Sequence, residues 1–146
     1  MPKLRGNARF EPPIIRATVL PATPEYLSEP TNQVHGVDCR ALLDTGADGT
    51  SITRSLAELT GLSPRGKTQA TGIGGSGWHR SWIAFIGVYA PEEIGPLPLV
   101  FPEPLLAIEV SPYPAFDIII GRDLLMQGTF TLKSNGDFEW DLPNNF

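Results

Sequence analysis

The hydrophobic residues of the chain occur in short runs, and most of these runs have the length and composition of β-strands. Apolar residues dominate positions 14–20, 37–43, 82–86, 105–110 and 116–120, and a shorter strand is predicted over 51–53 around Ile52. Runs of this kind, bounded by glycine, proline and polar residues, are typical of strands. A short helix is predicted over 55–59, because Ser55 and Glu58 have the spacing of a capping box and Gly61 stops the helix. The pattern therefore predicts many short strands joined by defined turns, with little helix.

Glycine and proline separate the predicted elements, and the chain contains 15 of each. The stretch 91–114 is rich in proline, so its two apolar runs, 97–101 and 105–110, are predicted to be edge strands between loops. Asp123 is placed to cap a second short helix over 124–127. Residues 1–13 are predicted to form a flexible arm. No shift in composition marks a boundary, which predicts a single domain over 1–146.

The charge and the composition exclude several classes of protein. The net charge is -5, which argues against a nucleic-acid-binding surface. No apolar run approaches the roughly 20 residues of a membrane helix, and no secretory signal is visible, so a cytoplasmic protein without a membrane segment is predicted. One cysteine and two histidines predict no metal site and no cofactor. Cys39 is interpreted as a buried strand residue, with a reactive thiol beside Arg40 as the alternative.

The strand predicted over 37–43 leads directly into an acid, a hydroxyl and a glycine, Asp44-Thr45-Gly46. A carboxylate at the end of an apolar strand is costly unless something holds it there. Asp44 is therefore a candidate for chemistry. The alternative is a structural aspartate whose side chain caps its own turn.

Two further motifs follow in the chain. A glycine-rich hairpin is predicted over 68–84, with Gly72-Ile73-Gly74 at its tip, where glycine supplies the positive φ that such tips need. A plain linker is the alternative. A second apolar strand then meets a glycine turn at 118–123.

The three motifs, in this order, resemble those of the retropepsin-like aspartic proteases, the single-domain relatives of retroviral proteases. The resemblance extends from about residue 34 to the C-terminus. It implies an all-β, mostly antiparallel fold with one or two short helices, which is half of a pepsin-type bilobed enzyme. It also implies an aspartic endopeptidase that acts on peptide or protein substrates.

The chemistry of such a site requires two carboxylates that share one proton. One activates a water as general base, and the other polarises the scissile carbonyl. The sequence has one Asp-Thr-Gly, at 44–46. The second aspartate must then come from a second copy across a two-fold axis, so a homodimer is predicted and the monomer should be inactive.

The resemblance implies a role for each residue of the active-site turn. Asp44 would be the catalytic acid of each subunit. The hydroxyl of Thr45 would brace the pair across the axis. Gly46, Ala47 and Asp48 would hold the backbone of the peptide substrate.

The resemblance also assigns supporting residues outside the turn. Arg122 would form an ion pair with Asp48, although unrelated surface charges are the alternative. Ile73, between Gly72 and Gly74, would be the residue of a flap that closes over the substrate. A different class of function stays open, namely a catalytically inactive dimeric peptide-binding or regulatory module with the same fold.

Overall fold

The computed structural model describes residues 2–22, 36–72 and 75–143, which form two β-sheets and three short helices. The strands are β1 (Lys3–Asn7), β2 (Ile14–Pro21), β3 (Val37–Leu43), β4 (Ser51–Thr53), β5 (Ser63–Gly72), β6 (Gly75–Val88), β7 (Leu99–Val100), β8 (Leu105–Val110), β9 (Ile118–Ile120), β10 (Thr129–Leu132) and β11 (Asp137–Asp141). The helices are α1 (Arg54–Thr60), α2 (Pro91–Ile94) and α3 (Arg122–Leu125). None of the helices in the described ranges is long and apolar enough to cross a membrane.

The larger sheet has the strand order β2-β3-β9-β4-β8-β6-β5, with β7 paired to β6. The long strand β6 also pairs with β2, so this sheet closes on itself. Most neighbours are antiparallel, and the parallel pairs are β3 with β9 and β4 with β8. The predicted all-β, mostly antiparallel architecture is confirmed.

The parallel pair at the centre of the larger sheet carries the candidate site. Leu43 is opposite Ile120 in the register of β3 and β9, and both side chains are buried. Burial of each such side chain is worth roughly 1.5–3 kcal/mol. The end of β3, where Asp44 begins, is therefore fixed by apolar packing on one face of the sheet.

The smaller sheet joins the two ends of the chain, in the order β1-β11-β10. Residues 3–7 were predicted to belong to a flexible arm, and this prediction is wrong. They form β1 because Leu4 is buried and the strand pairs with β11 in antiparallel register from Lys3–Asp141 onward. The indole Nε1 of Trp140 donates to the backbone oxygen of Leu125 at 3.2 Å and so links this sheet to α3.

The proline-rich stretch differs from the prediction in three ways. The strand predicted over 97–101 is reduced to β7, because Pro98 interrupts the run. The strand predicted over 105–110 is β8, but it is not an edge strand, since it pairs with β4 on one side and β6 on the other. It can do so because its flanking prolines lie outside the strand. Pro91 starts the short helix α2, which the sequence analysis missed.

The two predicted helices form with different caps. Thr53, rather than Ser55, is the N-cap of α1 and accepts from the backbone N–H of Leu56, while Gly61 ends the helix at φ 74°. Glu58 instead accepts from Arg54 at 2.9 Å. The helix predicted over 124–127 is α3, which starts earlier, at Arg122, with Gly121 as its N-cap.

Candidate active site

Asp44 lies immediately after β3 and is half-buried as a residue. Its backbone N–H donates to the carbonyl of Ile120 at 2.9 Å, which continues the pairing with β9 by one residue. The backbone N–H of Gly46 donates to the Asp44 Oδ1 atom at 2.8 Å. The structural alternative, an aspartate that caps its own turn, is thus present in the geometry. It does not exclude chemistry, because within the described chain no hydrogen bond occupies Oδ2.

The residue two positions after Asp44 must be small for its backbone N–H to donate to the Asp44 carboxylate. A Cβ atom on Gly46 would lie 3.2 Å from Asp44 Oδ1, so a side chain would press on the carboxylate. Thr45 and Gly46 are both exposed. The predicted role of the Thr45 hydroxyl across a dimer axis remains a prediction.

Arg122, the first residue of α3, contacts the turn at three points. Its backbone N–H donates to the carbonyl of Ala47 at 2.9 Å, and its Nη1 donates to the carbonyl of Thr45 at 3.0 Å. Its Nη2 forms an ion pair with Asp48, as the resemblance implies. The Asp48 side chain is 93% exposed, so this pair contributes only about 0–1 kcal/mol. Arg122 therefore acts mainly by holding the backbone of the turn.

A second contact beneath the turn was missed by the sequence analysis. Asp123 was predicted to cap a helix, but its carboxylate accepts two hydrogen bonds from Thr50, from the backbone N–H at 3.0 Å and from the hydroxyl at 2.8 Å. Thr50 is fully buried, and a buried hydroxyl needs a partner. Because the burial of Thr50 is visible only in the fold, no signal in the sequence identified the pair.

Gly121 allows the two loops to approach each other. A Cβ atom at this position would lie 2.5 Å from the carbonyl oxygen of Gly49 and 2.9 Å from that of Ala47. Real Cβ atoms do not approach backbone this closely. The glycine between β9 and α3 is therefore required by contact with the Asp44 turn, and its φ of -92° needs no glycine on conformational grounds.

The predicted flap is the hairpin β5–β6. The two strands pair as far as Gly72 and Gly75, so Gly72 ends β5. Ile73 and Gly74, which the resemblance assigns to the flap tip, lie outside the described residues. Elsewhere on this hairpin, Trp78 is exposed and His79 is half-buried.

The remaining candidate groups lie elsewhere. Cys39 is buried, and burial, together with the nearby carboxylates of Asp117 and Asp38, raises the pKa of its thiol to about 12. This favours the interpretation as a buried strand residue over a reactive thiol. Among the residues that the structure describes, no three histidine, cysteine, aspartate or glutamate side chains form a group that could hold a metal ion.

Comparison with known families gives a match over the part of the chain that includes this turn. The family model described as "Aspartyl protease" matches residues 31–83. This range contains the Asp44 turn and the hairpin tip. No curated protein matches the sequence.

Comparison with solved structures gives matches over most of the chain. The crystal structure of a retropepsin-like aspartic protease from Rickettsia conorii matches with a TM-score of 0.58 at 12% identity, covering 96% of this chain and 90% of that chain. EIAV protease complexed with the inhibitor HBY-793 has a TM-score of 0.48 at 20% identity, covering 83% and 91%. The protease of simian foamy virus (mac) has a TM-score of 0.45 at 14% identity, covering 76% and 89%. The fold assignment rests on the first match.

Proposed function

From its retropepsin-like fold and its resemblance to the retropepsin-like aspartic protease family, we propose that this chain is a homodimeric aspartic endopeptidase. Its reaction is the hydrolysis of peptide bonds by a water held between two Asp44 carboxylates, one from each subunit. The single observation that supports this most strongly is the geometry of Asp44. Its Oδ1 is oriented by the Gly46 N–H at 2.8 Å, while no hydrogen bond within the described chain is made to Oδ2.

The proposed reaction uses the two carboxylates in opposite protonation states. The ionised Asp44 takes a proton from the water, whose oxygen attacks the scissile carbonyl carbon. Asp44 of the partner subunit gives its proton to the carbonyl oxygen, which forms a tetrahedral diol. Collapse of the diol breaks the C–N bond. The carboxyl group that received the water proton passes it to the leaving nitrogen, and one diol hydroxyl gives its proton to the other carboxylate as the product carboxyl group forms.

The rigid support of the turn is consistent with this chemistry. Gly46, Ala47 and Asp48 are proposed to hold an extended peptide beside Asp44, and Arg122 fixes the backbone of Thr45 and Ala47. Two carboxylates can share a proton only if each is held within a few tenths of an ångström, so such support is expected at a catalytic turn. Residues 72–74 are proposed to close over the substrate.

The test is a comparison of Asp44→Asn with Asp38→Asn, an aspartate of the same strand. Cleavage of a mixed peptide library is followed by mass spectrometry from pH 3 to pH 8. The cleavage rate should fall at least ~10³-fold in Asp44→Asn. Asp38→Asn should retain most of the activity. Wild-type protein that binds peptides but never cleaves them would instead favour the inactive binding module.

Subunit mixing tests the dimer separately. When Asp44→Asn protein is exchanged into wild-type protein at equal concentration, only about a quarter of the dimers keep two aspartates. Activity should therefore fall with the square of the wild-type fraction. A linear dependence would mean that one chain carries a complete site, and the dimeric mechanism would be wrong.

A further inference from the structure

The base of the hairpin β5–β6 carries two positive charges in direct opposition. Lys67 is opposite Arg80 in the antiparallel register, and both side chains are exposed. Like charges directly across a strand pair are destabilising. Arg65, also exposed, lies two residues earlier. In a chain of net charge -5, such a cluster is unusual and needs an explanation.

Within the described chain, six of the eight other basic residues are in ion pairs, whereas Arg9 and Lys133 and the three residues of the hairpin cluster are not. Ion pairs are made by Lys3, Arg5, Arg16, Arg40, Arg54 and Arg122. Within the described ranges, no carboxylate lies within 4.0 Å of the charged nitrogens of Arg65, Lys67 or Arg80. The cluster is thus available to an external anionic group.

The surface beside these cations is concave, with an apolar floor. A cavity of about 390 Å³ is lined by Lys67, Arg80, Leu62, Pro64 and Trp82 among others. Leu62 and Trp82 are buried and form the floor, while the cations stand at the rim. Such a cavity suits a short peptide segment that combines an apolar side chain with acidic neighbours.

The backbone builds this cavity through an irregularity in the hairpin. The strand register shifts between Pro64 and Lys67, and Gly66 has φ 81°, a value that favours glycine. The bulge turns this part of β5 and places Lys67 beside Arg80. Arg54 and Glu58 also line the cavity and form an ion pair at 2.9 Å, so the net positive charge is concentrated on the hairpin.

We propose that this basic concavity, formed by Lys67, Arg80 and the Leu62–Trp82 floor, binds an acidic segment of the polypeptide substrate outside the active site. The inference rests on the proposed function, because it assigns the surface to a substrate. It is supported by continuity, since the same hairpin ends in the residues assigned to the flap. A peptide held under the flap would leave the site along this hairpin. An acidic peptide fits better than a nucleic acid because the cationic patch is small and its floor is apolar.

Binding is measured with the Asp44→Asn protein, so that no probe is cleaved. The probes are a fluorescein-labelled peptide of four glutamates flanking one leucine, and its counterpart with glutamine in place of glutamate. Fluorescence anisotropy at low salt should give about tenfold tighter binding of the glutamate peptide, and 0.5 M NaCl should abolish the difference. Circular dichroism confirms that each variant is folded.

Two double variants and one control test the residues. Lys67→Gln with Arg80→Gln should remove the preference for glutamate, and Lys67→Glu with Arg80→Glu should reverse it. Lys133→Glu is the matched control, because Lys133 is an exposed lysine in the turn between β10 and β11, far along the chain from the hairpin. This control should keep the full tenfold preference.

The same peptides joined to a cleaved sequence extend the test to catalysis. In the wild-type protein, the glutamate extension should lower KM by several fold and leave kcat unchanged, as expected for binding outside the reacting centre. Binding without any cleavage would support the surface and overturn the proposed function. Failure of the proposed substrate surface and failure of the proposed endopeptidase function are therefore distinguishable.

Four results would overturn the inference. The first is equal affinity for the glutamate and glutamine peptides, and the second is a preference that survives the charge reversal. The third is equally tight binding of a single-stranded oligonucleotide of the same charge. The fourth is binding that appears only after Glu25→Gln with Glu29→Gln, which would make the chain's own acidic residues the occupant.

Discussion

Strand β3 has an aspartate near each end, and the two carboxylates have different surroundings. Asp38 is the second residue of the strand, and Asp44 follows its last residue. Both are even-numbered and so lie toward the face opposite the buried Cys39, Ala41 and Leu43. They are separated by six residues, or about 20 Å.

Asp38 is surrounded by side chains that neutralise it. Tyr89 donates to its Oδ1 at 2.6 Å, and Arg16 donates to its Oδ2 at 2.5 Å. These hydrogen bonds hold the pKa of Asp38 below its ordinary value. The Arg16 guanidinium also lies 3.9 Å from the centre of the Tyr89 ring, so the three side chains form one cluster that joins β2, β3 and the end of β6.

Asp44 has none of these side-chain partners in the described chain. Among the described residues, the only hydrogen bond to its carboxylate comes from a backbone N–H. The side chain of Arg122 contacts the Thr45 carbonyl and Asp48 instead. The difference shows how one strand can carry a structural acid and a candidate catalytic acid. The structural acid is saturated by side chains, whereas the catalytic candidate is fixed by backbone and keeps one oxygen for a reacting group.

The largest effect on this contrast is expected from Gly121→Ala. Its Cβ atom would lie 2.5 Å from the Gly49 carbonyl oxygen, so the Asp44 turn must move. We expect a loss of about 2–4 kcal/mol in the free energy of unfolding and a loss of about 100-fold in kcat/KM. Urea unfolding measures the change in the free energy of unfolding, and peptide cleavage measures the change in kcat/KM.

Gly49→Ala is the matched control for this substitution. A Cβ atom on Gly49 would have only an ordinary contact, 3.8 Å from Asp123 Oδ2. It should change stability by about 0.5 kcal/mol or less. Equal losses for the two variants would show that the close approach of Gly121 does not fix the turn.

Asp123→Ala should have the next largest effect. It leaves the N–H and hydroxyl of the buried Thr50 without their acceptor, which is expected to cost about 1–3 kcal/mol. Asp123→Asn keeps one acceptor oxygen, so it should recover most of this loss. The measurement is the unfolding midpoint in urea, and indistinguishable midpoints for alanine and asparagine would contradict the role assigned to this carboxylate.

These supports also indicate how far the sequence could predict the molecule. The boundaries of β3 were predicted correctly because its alternation is strong and Asp44 follows at once. The ion pair of Arg122 with Asp48 could be expected because both residues belong to recognisable motifs. The two hydrogen bonds from Thr50 to Asp123 could not, since they join residues 73 positions apart and Asp123 has an obvious local alternative as a helix cap.

The ends of the chain illustrate the opposite limit. Residues 3–7 contain one strongly apolar side chain that becomes buried, Leu4, which is too weak a pattern to predict a strand. Their order comes from pairing with β11, at least 130 residues away. Similarly, β8 was predicted as an edge strand because prolines surround it, whereas its position between β4 and β6 depends on the whole sheet.

A smaller effect is expected when the ion pair at the turn is separated from the backbone contact. Asp48→Asn removes only the exposed ion pair and should cost about 0.5 kcal/mol or less. Arg122→Gln removes the ion pair and the hydrogen bond to the Thr45 carbonyl, so it should cost about 1 kcal/mol more. Urea unfolding of both variants shows whether the ion pair or the hydrogen bond to the Thr45 carbonyl contributes more stability. A larger loss of unfolding free energy for Asp48→Asn would assign the stabilisation to the ion pair.

The smallest effect is expected at the other end of β3, and it depends on pH. Because the pKa of Asp38 is lowered in the folded protein, its stabilisation is present above the unfolded-state value of about 3.9 and is lost as the pH falls through the folded value. The Asp38 side chain is 46% exposed, so solvent screening limits the contribution to about 1 kcal/mol or less. Thermal unfolding should therefore show wild-type protein slightly more stable than Asp38→Asn at pH 7, with the two curves converging toward pH 2–3.

Tyr89→Phe removes the hydrogen bond that lowers the pKa of Asp38 most, and it should reproduce part of the difference in stability. A gap between wild type and Asp38→Asn that widens on acidification would mean that Asp38 is not the paired, structural acid of this strand.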